Sequence, residues 1–215
     1  DTNPVYELDA YELATFERVN IPTRHEGVEL EGILHYPPGF DPGAPHPLWV
    51  LTYAGPHAPS VRDSWRGGRP WEQLLCSAGI VVLRTDPYPA SGKGAQSAWT
   101  TYRNLGVREL QDLEDAVDWA LTHDWADATR VGISGHSFGG YITAYAMTHS
   151  DRFTAGIAGA PVTDWRDYDT IYTERYMSTP QDNPEGYVRT SAVESAQDLH
   201  GRLLIAHGTI DDNVH

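Results

Sequence analysis

Basic residues are scarce in this sequence, which has 15 Lys and Arg against 30 Asp and Glu and a formal net charge of −15. Proteins bind the phosphates of nucleic acids through clustered Lys and Arg side chains, so this balance argues against a nucleic-acid partner. Cysteine is scarcer still. Cys76 is the single cysteine of the sequence, which excludes a disulfide bond within the chain. Its place in the helical pattern WEQLLCSAG predicts a core position.

Long apolar runs are also missing. No stretch approaches the roughly 18 to 20 apolar residues of a membrane-spanning helix, so we predict no membrane span in this chain. The first residues, DTNPVYELDAY, have neither the basic region nor the apolar core of a signal peptide. Because the sequence begins with Asp rather than Met, a signal could precede it, and both a cytoplasmic and an extracytoplasmic location stay open.

The sequence does contain the residues of a packed globular domain. Of its 215 residues, 40% are hydrophobic, and 7 Trp, 12 Tyr and 4 Phe are among them. This length and composition are typical of one folded domain with a substantial core.

Short apolar runs alternate with longer amphipathic stretches from residue 48 onward. Two earlier runs, FERVNIP and VELEGILHY, predict short strands joined through residues 24–27. Five later runs predict strands that are buried on both faces: 47–55, 79–86, 130–137, 155–162 and 201–208. Strands alternating with helices indicate a doubly wound, mostly parallel α/β sheet, in which reactive groups gather beyond the carboxyl ends of the strands.

One helix between these strands has a clear two-faced pattern. Its apolar positions recur at spacings of three and four residues: Leu110, Leu113, Val117 and Leu121. Acidic residues fill the intervening positions and are expected on the outer face: Glu109, Asp112, Glu114 and Asp118.

The segment GHSFG, residues 135–139, has the G-x-S-x-G pattern of a nucleophile elbow. It follows the strand pattern RVGIS and precedes the helical pattern YITAYAMTHS, and this context gives the pentapeptide its meaning. The turn forces the serine into a strained backbone conformation, so the residues two positions away on each side must be small. We predict that Ser137 is a nucleophile and that His136, within the turn itself, points away from it.

Acyl transfer also needs donors for the developing oxyanion and an acid that orients the base. The elbow predicts the backbone N–H of Phe138 as one donor. Tyr53, at the end of the strand pattern PLWVLTYAG, could supply its hydroxyl as the other, or it could be an ordinary core aromatic. Asp211 follows the strand pattern LLIAHG, at the place that α/β-hydrolases give to the acid. Spacing alone does not separate it from Asp212, which could instead cap a following helix.

Four segments together resemble a known family: LTYAGP, GISGHSFGGY, APVTDWRDYDTIYTERYM and HGTIDDNVH. They are similar to the hydrolase domain of the prolyl oligopeptidase family of serine peptidases, most closely its dipeptidyl peptidase IV branch. The resemblance implies an α/β-hydrolase fold, with Ser137 as nucleophile, Asp211 as acid, and Tyr53 with the Phe138 amide as oxyanion hole. It implies no metal and no cofactor.

The resemblance also assigns a substrate pocket. The residues that match an S1 pocket for proline are Val162, Trp165, Tyr168, Tyr172 and Val214. Asn213 matches a residue that holds a substrate carbonyl, with Arg175 nearby as support. Proline is a compact apolar ring, so flat aromatic walls suit it. The spacing of three and four residues between Trp165, Tyr168 and Tyr172 predicts one face of a single helix.

The resemblance further implies two segments that this sequence does not contain. The β-propeller that precedes the hydrolase domain in the family is absent, and so is the catalytic histidine, which lies a few tens of residues beyond the acid. None of the ten histidines occupies such a place. We therefore expect that residues 1–215 are a C-terminally truncated hydrolase domain without its last helix, strand and helix, and that this chain alone is inactive.

The resulting hypothesis is a serine exopeptidase that cleaves peptides after proline. The alternatives are an esterase or acylaminoacyl peptidase with the same triad, and a binding module that lacks a base. The partner is a peptide substrate, and the resemblance allows a homodimer of the full-length protein. The exact length of the released peptide and the physiological substrate stay open.

Overall fold

The computed structural model describes residues 6–62, 64 and 70–214. The strands are β1 (Thr15–Pro22), β2 (Glu29–Tyr36), β3 (His46–Leu51), β4 (Val81–Thr85), β5 (Ala126–His136), β6 (Ala155–Gly159) and β7 (Arg202–Ala206). The helices are α1 (Pro70–Ser77), α2 (Ala95–Trp99), α3 (Val107–Ala120), α4 (Phe138–His149), α5 (Thr170–Met177) and α6 (Pro184–Arg189). Short 3₁₀ helices cover Tyr6–Ala10, Tyr88–Ala90, Trp165–Asp167 and Ala196–Asp198.

All seven strands form one sheet in the order β1-β2-β4-β3-β5-β6-β7. The pairs β1–β2 and β2–β4 are antiparallel, whereas β4, β3, β5, β6 and β7 run parallel to one another. Parallel neighbours need crossover connections, which the intervening helical segments provide. The predicted doubly wound, mostly parallel α/β sheet is confirmed.

Successive residues of the central strands pack into different apolar clusters. Leu48 and Val50 of β3 belong to the large cluster, which also contains residues of α3 and α4. Leu51 belongs to a smaller cluster with Cys76 of α1. Because side chains of a strand alternate between the two sheet faces, α1 covers one face and α3 with α4 the other. The predicted core position of Cys76 is confirmed, since its side chain is buried.

The last strand departs from the predicted burial on both faces. β7 pairs only with β6, and Leu204 and Ile205 are 59% and 52% exposed. An apolar strand is buried only when elements cover its faces, and no described element covers these two side chains. Within the described residues, β7 is therefore an edge strand with mostly exposed side chains.

The outer face predicted for α3 is wrong at two positions. Glu109 and Asp112 are completely buried. Asp112 binds Arg108 at 2.9 Å and accepts from the backbone N–H of Tyr88 at 2.8 Å. The segment between β4 and α3 folds over the first turn of the helix, and this tertiary contact overrides the two-faced pattern of the sequence.

Candidate active site

The loop between β5 and α4 has the strained geometry of a nucleophile elbow. Ser137 has φ 60° and ψ −115°, a region that residues with a Cβ atom rarely occupy. Its backbone N–H donates to Gly159 O at 2.8 Å. The side chains of its neighbours Phe138 and His136 point to opposite sides of the sheet. The Phe138 ring packs into the core, whereas His136 lines a cavity on the other side of the sheet with Trp71 and Arg84.

Three glycines let the elbow approach its neighbouring strands. A Cβ atom on Gly135 would lie 2.4 Å from Thr52 O, and one on Gly139 would lie 2.6 Å from the same oxygen. A Cβ atom on Gly140 would lie 2.3 Å from Gly159 O. Each contact is with backbone, which cannot move aside as a flexible side chain can. The glycines therefore set the position of Ser137 relative to β3 and β6.

The two predicted oxyanion donors lie on either side of the elbow. Phe138 is the first residue of α4, so its N–H has no acceptor within the helix. Tyr53 follows β3 in the chain, and its ring lies 6.2 Å from the Phe138 ring. Tyr53 is partly exposed, and its hydroxyl makes no hydrogen bond within the described residues. Neither the Phe138 N–H nor the Tyr53 hydroxyl thus has a hydrogen-bond partner in the described part of the chain.

An aromatic cage adjoins the elbow and consists of Trp165, Tyr168 and Tyr172. The Trp165 ring lies 5.5 Å from the Phe138 ring, 5.9 Å from Tyr168 and 6.0 Å from Tyr172. The predicted single helix is wrong, because Trp165 lies in a 3₁₀ turn and Tyr172 in α5. Asp169 accepts from the backbone N–H of Tyr172 at 2.9 Å, and this N-cap starts a new helix.

The two valines that the sequence assigns to the same pocket are buried. Val162 and Val214 are both 4% exposed and belong to the same apolar cluster as Trp165. Tyr168 and Tyr172 are partly buried against that cluster, and burial raises the pKa of the Tyr172 hydroxyl. The three aromatic side chains are thus in mutual contact, and the two valines belong to the same large apolar cluster.

The acidic loop after β7 is organised around Asp211. Its Oδ1 accepts from the backbone N–H groups of Asn213 at 3.0 Å and Val214 at 2.9 Å. These two hydrogen bonds lower the pKa of the carboxyl group. No helix follows Asp211 in the described residues, so the alternative that Asp212 caps a following helix stays a prediction. Oδ2 of Asp211 lies 3.5 Å from Nε2 of His207 and is the oxygen left for a further partner.

The two residues predicted to hold a substrate carbonyl lie in different places. The side-chain amide of Asn213 donates to Tyr168 Oη at 3.3 Å, which ties the acidic loop to the aromatic cage. The Arg175 guanidinium lies 5.6 Å from the centre of the Tyr176 ring. Within the described residues, no hydrogen bond joins Arg175 to Asn213.

No histidine of the described part of the chain is hydrogen-bonded to Ser137. His207 Nε2 lies 3.0 Å from Val214 O, and His149 Nε2 lies 3.2 Å from the hydroxyl of Ser195. His215, which the sequence assigns to the HGT-x-DDNVH segment, lies outside the described residues. That the general base lies outside this chain stays a prediction.

Tyr141 and Glu109, for which the sequence predicts no functional role, are both buried and hydrogen-bonded. Tyr141 of α4 has its Oη 2.7 Å from Leu105 O and 3.0 Å from Thr190 O, and its ring lies 4.8 Å from that of Trp165. Glu109 accepts from Thr101 Oγ1 at 2.7 Å and from the backbone N–H of Gly106 at 2.9 Å. Burial raises the pKa of Glu109 to about 7.

A signal for Glu109 is present in the sequence. Glutamate three residues after a helix-capping position is typical of a capping box, and Gly106 with Glu109 has this spacing. The signal for Tyr141 is weaker, because a tyrosine in an apolar helix has no pattern that predicts its hydrogen bonds.

The described residues contain neither a cluster of metal ligands nor a helix that could span a membrane. No group of three or more His, Cys, Asp or Glu side chains in residues 6–62, 64 and 70–214 could hold a metal ion. In the same residues no helix has the length and apolar character that crossing a bilayer requires.

The chain is similar in sequence to one family of known proteins. The profile of the Prolyl oligopeptidase family matches residues 69–215. A probable dipeptidyl peptidase 4 of Aspergillus flavus is 38% identical over 195 residues, which are 88% of this chain and 25% of the relative. Dipeptidyl peptidase 8 of Mus musculus is 37% identical over 88% of this chain and 22% of its own length.

Solved structures agree with the sequences. The crystal structure of Porphyromonas gingivalis dipeptidyl peptidase 4 superposes with a TM-score of 0.90 and 39% identity, over 98% of this chain and 30% of that one. The chain thus spans about a quarter to a third of the lengths of the proteins it matches. The match of the family profile, together with an α/β-hydrolase fold built around Ser137, shows that the chain belongs to the prolyl oligopeptidase family.

Proposed function

We propose that this chain provides the nucleophile, the acid and the proline pocket of a serine exopeptidase that cleaves peptides after an Xaa-Pro pair. The observation that carries the proposal is the contact between the elbow and the aromatic cage, where the Phe138 and Trp165 rings are 5.5 Å apart. A proline ring held by the cage places its own carbonyl group next to the serine, because one residue spans only about 3.5 Å.

The reaction follows from the positions of these groups. Ser137 Oγ attacks the proline carbonyl carbon, and its proton passes to a base. The hydroxyl of Tyr53 and the N–H of Phe138 donate to the oxygen that becomes negative. The C–N bond then breaks, the base returns the proton to the leaving amine, and water hydrolyses the ester on Ser137. Asp211 orients the base and stabilises its charged form.

Substrate choice tests this proposal against its nearest alternative. The protein at its full natural length should hydrolyse an H-Xaa-Pro p-nitroanilide, and Ser137→Ala should abolish the reaction. Turnover of a p-nitrophenyl ester without any cleavage of the anilide would contradict the peptidase and favour the esterase.

The source of the base needs a second experiment. We infer that the base lies beyond the described residues, since no histidine among them is hydrogen-bonded to Ser137. A fluorophosphonate probe should label the 215-residue chain weakly or not at all, and should label Ser137 strongly in the protein at full natural length. Equal labelling of both forms would mean that a histidine of this chain serves as base.

A further inference from the structure

Trp165 is the centre of the aromatic cage, but the chain around it is not a regular α-helix. Its ring lies 5.5 Å from that of Phe138 and 4.8 Å from that of Tyr141. The residue begins a 3₁₀ turn of three residues, Trp165–Asp167, and so short a turn has few hydrogen bonds of its own. The direction of the indole ring therefore depends on groups that hold this turn from outside the cage.

The carboxylate of Asp164, the residue before the turn, is such a group. Its Oδ1 accepts from the backbone N–H and from Nε of Arg166, both at 2.8 Å. Its Oδ2 accepts from Nη2 of Arg166 at 2.5 Å and from the Ser191 hydroxyl at 2.7 Å. Arg166 in turn pairs with Glu194 at 2.7 Å. Both oxygens of Asp164 are thus used by hydrogen bonds within the chain, and none of these contacts is made by a residue of the cage.

Asp164 is buried, with 5% of its surface exposed, and a buried carboxylate stays charged only when it is well paired. Burial acts to raise the pKa of this carboxyl group, but the hydrogen bonds from Arg166 and Ser191 outweigh that effect and the pKa is lowered. The charge therefore strengthens the hydrogen bonds that hold the turn.

The loop after α6, residues 190–194, anchors the turn to the rest of the fold. The backbone N–H of Ala192 donates to Thr163 O at 3.0 Å, directly before the turn. Thr190 O accepts from the Tyr141 hydroxyl at 3.0 Å. The same loop thus holds both the turn that carries the indole ring and a ring on which the indole packs.

From these contacts we propose that Asp164 is a positioning residue for the proline pocket: it fixes the turn that aims Trp165 at the substrate, and it thereby sets the preference for proline. The inference rests on the proposed cleavage after proline. A pocket keeps its shape only when its walls are locked by hydrogen bonds and packing behind them. Proline has two methylene groups that alanine lacks, and a displaced indole ring would lose its contact with these groups.

The ratio of two substrates measures this effect. The protein at full natural length should cleave H-Gly-Pro p-nitroanilide with a higher kcat/KM than H-Gly-Ala p-nitroanilide. Asp164→Ala should lower the ratio of these two kcat/KM values roughly tenfold, since one methylene group in an apolar pocket gives roughly 10- to 200-fold discrimination. A loss of stability alone would reduce the amount of active enzyme, which lowers both rates equally and leaves the ratio unchanged.

Two further variants test the hydrogen bonds themselves. In Asp164→Asn the side-chain oxygen can still accept from the Arg166 N–H, and the Ser191 hydroxyl can accept from the new amide. The ratio should therefore stay close to that of the unmodified protein. Ser191→Ala removes one hydrogen bond to the carboxylate and should lower the ratio by less than Asp164→Ala does. If Asp164→Ala does not fold, Ser191→Ala decides the test.

The matched control is Asp127→Ala at the start of β5. Asp127 makes a similar set of contacts, because its Oδ1 accepts from the backbone N–H of Thr129 at 2.8 Å and its Oδ2 from Nε of Arg130 at 2.6 Å. The elbow follows the other end of this strand, so the ratio should be unchanged.

The outcomes separate this role from the proposed function. An unchanged ratio in both Asp164→Ala and Ser191→Ala would overturn the positioning role and leave the peptidase standing. A ratio near 1 in the unmodified protein would overturn the proline pocket together with the positioning role. If the unmodified protein cleaved neither substrate, the proposed peptidase would be wrong as well.

Discussion

β5 and β7 are apolar strands in the parallel part of the same sheet. The residues that follow them, Ser137 and Asp211, are positioned in different ways. β5 lies between β3 and β6, and Val131 and Ile133 are buried in the core that α4 covers. β7 lies at the edge, and its side chains are mostly exposed. Ser137 after β5 is therefore positioned by tertiary packing, whereas Asp211 after β7 is positioned by hydrogen bonds within its own loop.

The largest expected effect compares one isoleucine from each strand. Ile133 is fully buried and Ile205 is 52% exposed. Ile133→Ala should cost roughly 2 to 5 kcal/mol in the free energy of unfolding, because it leaves a cavity in the core. Ile205→Ala should cost less than about 1 kcal/mol. Urea denaturation of the 215-residue chain measures both. Similar losses would mean that β7 is packed as tightly as β5.

The buried carboxyl group behind the elbow should make stability depend on pH. Burial raises the pKa of Glu109 from 4.5 to about 7 in the folded chain, so the unfolded chain loses this proton first as pH rises. Stability should then fall by about 3 kcal/mol between pH 4.5 and 7 and level off above the folded pKa.

Glu109→Gln is the control for this pH dependence. The glutamine oxygen can still accept from Gly106, and the Thr101 hydroxyl can change from donor to acceptor. Denaturation curves of the two proteins between pH 5 and 8 should converge toward low pH, with the wild type losing more stability as pH rises. Parallel curves would show that Glu109 does not titrate in this range.

Two glycines extend the comparison to the backbone. A Cβ atom on Gly135 would lie 2.4 Å from Thr52 O, whereas a Cβ atom on Gly208 would have no neighbour nearer than 3.9 Å. Gly135→Ala should cost about 1 to 3 kcal/mol, because the elbow must move away from β3. It should also abolish fluorophosphonate labelling of the protein at full natural length. Gly208→Ala should change stability by less than about 0.5 kcal/mol, and a larger loss there would mean that the acidic loop is packed more tightly.

The difference between the two regions also separates what the sequence could predict from what it could not. The elbow was predictable, because its strand, turn, helix and glycines are consecutive in the chain. All five later strands were found as well; four are shorter than their apolar runs, whereas β5 (Ala126–His136) begins four residues before its run. The exposure of Ile205 depends on which elements cover an edge strand, and a strand's own residues contain no such information.

For the aromatic cage, too, the local sequence pattern does not predict which elements come into contact. Trp165, Tyr168 and Tyr172 were predicted to lie together, and they do, but not on one helix. The N-cap at Asp169 interrupts the periodicity, and the contacts are restored by the fold of the chain rather than by helical spacing. The burial of Glu109 was missed for a similar reason, since a preceding loop covers that side of α3.

The smallest expected effect is local and concerns the acidic loop. The hydrogen bonds from Val214 and Asn213 lower the pKa of Asp211, so these bonds should be present at neutral pH and be lost as pH falls through the lowered pKa of the carboxyl group. Amide resonances of Asn213 and Val214 should shift together on acidification, while those of β5 stay unchanged until the whole chain unfolds. In Asp211→Asn the side-chain oxygen still accepts, so both amides should keep their positions across the titration. If the amides of β5 moved with the same midpoint, the acidic loop would be coupled to the sheet, and its geometry would not be local.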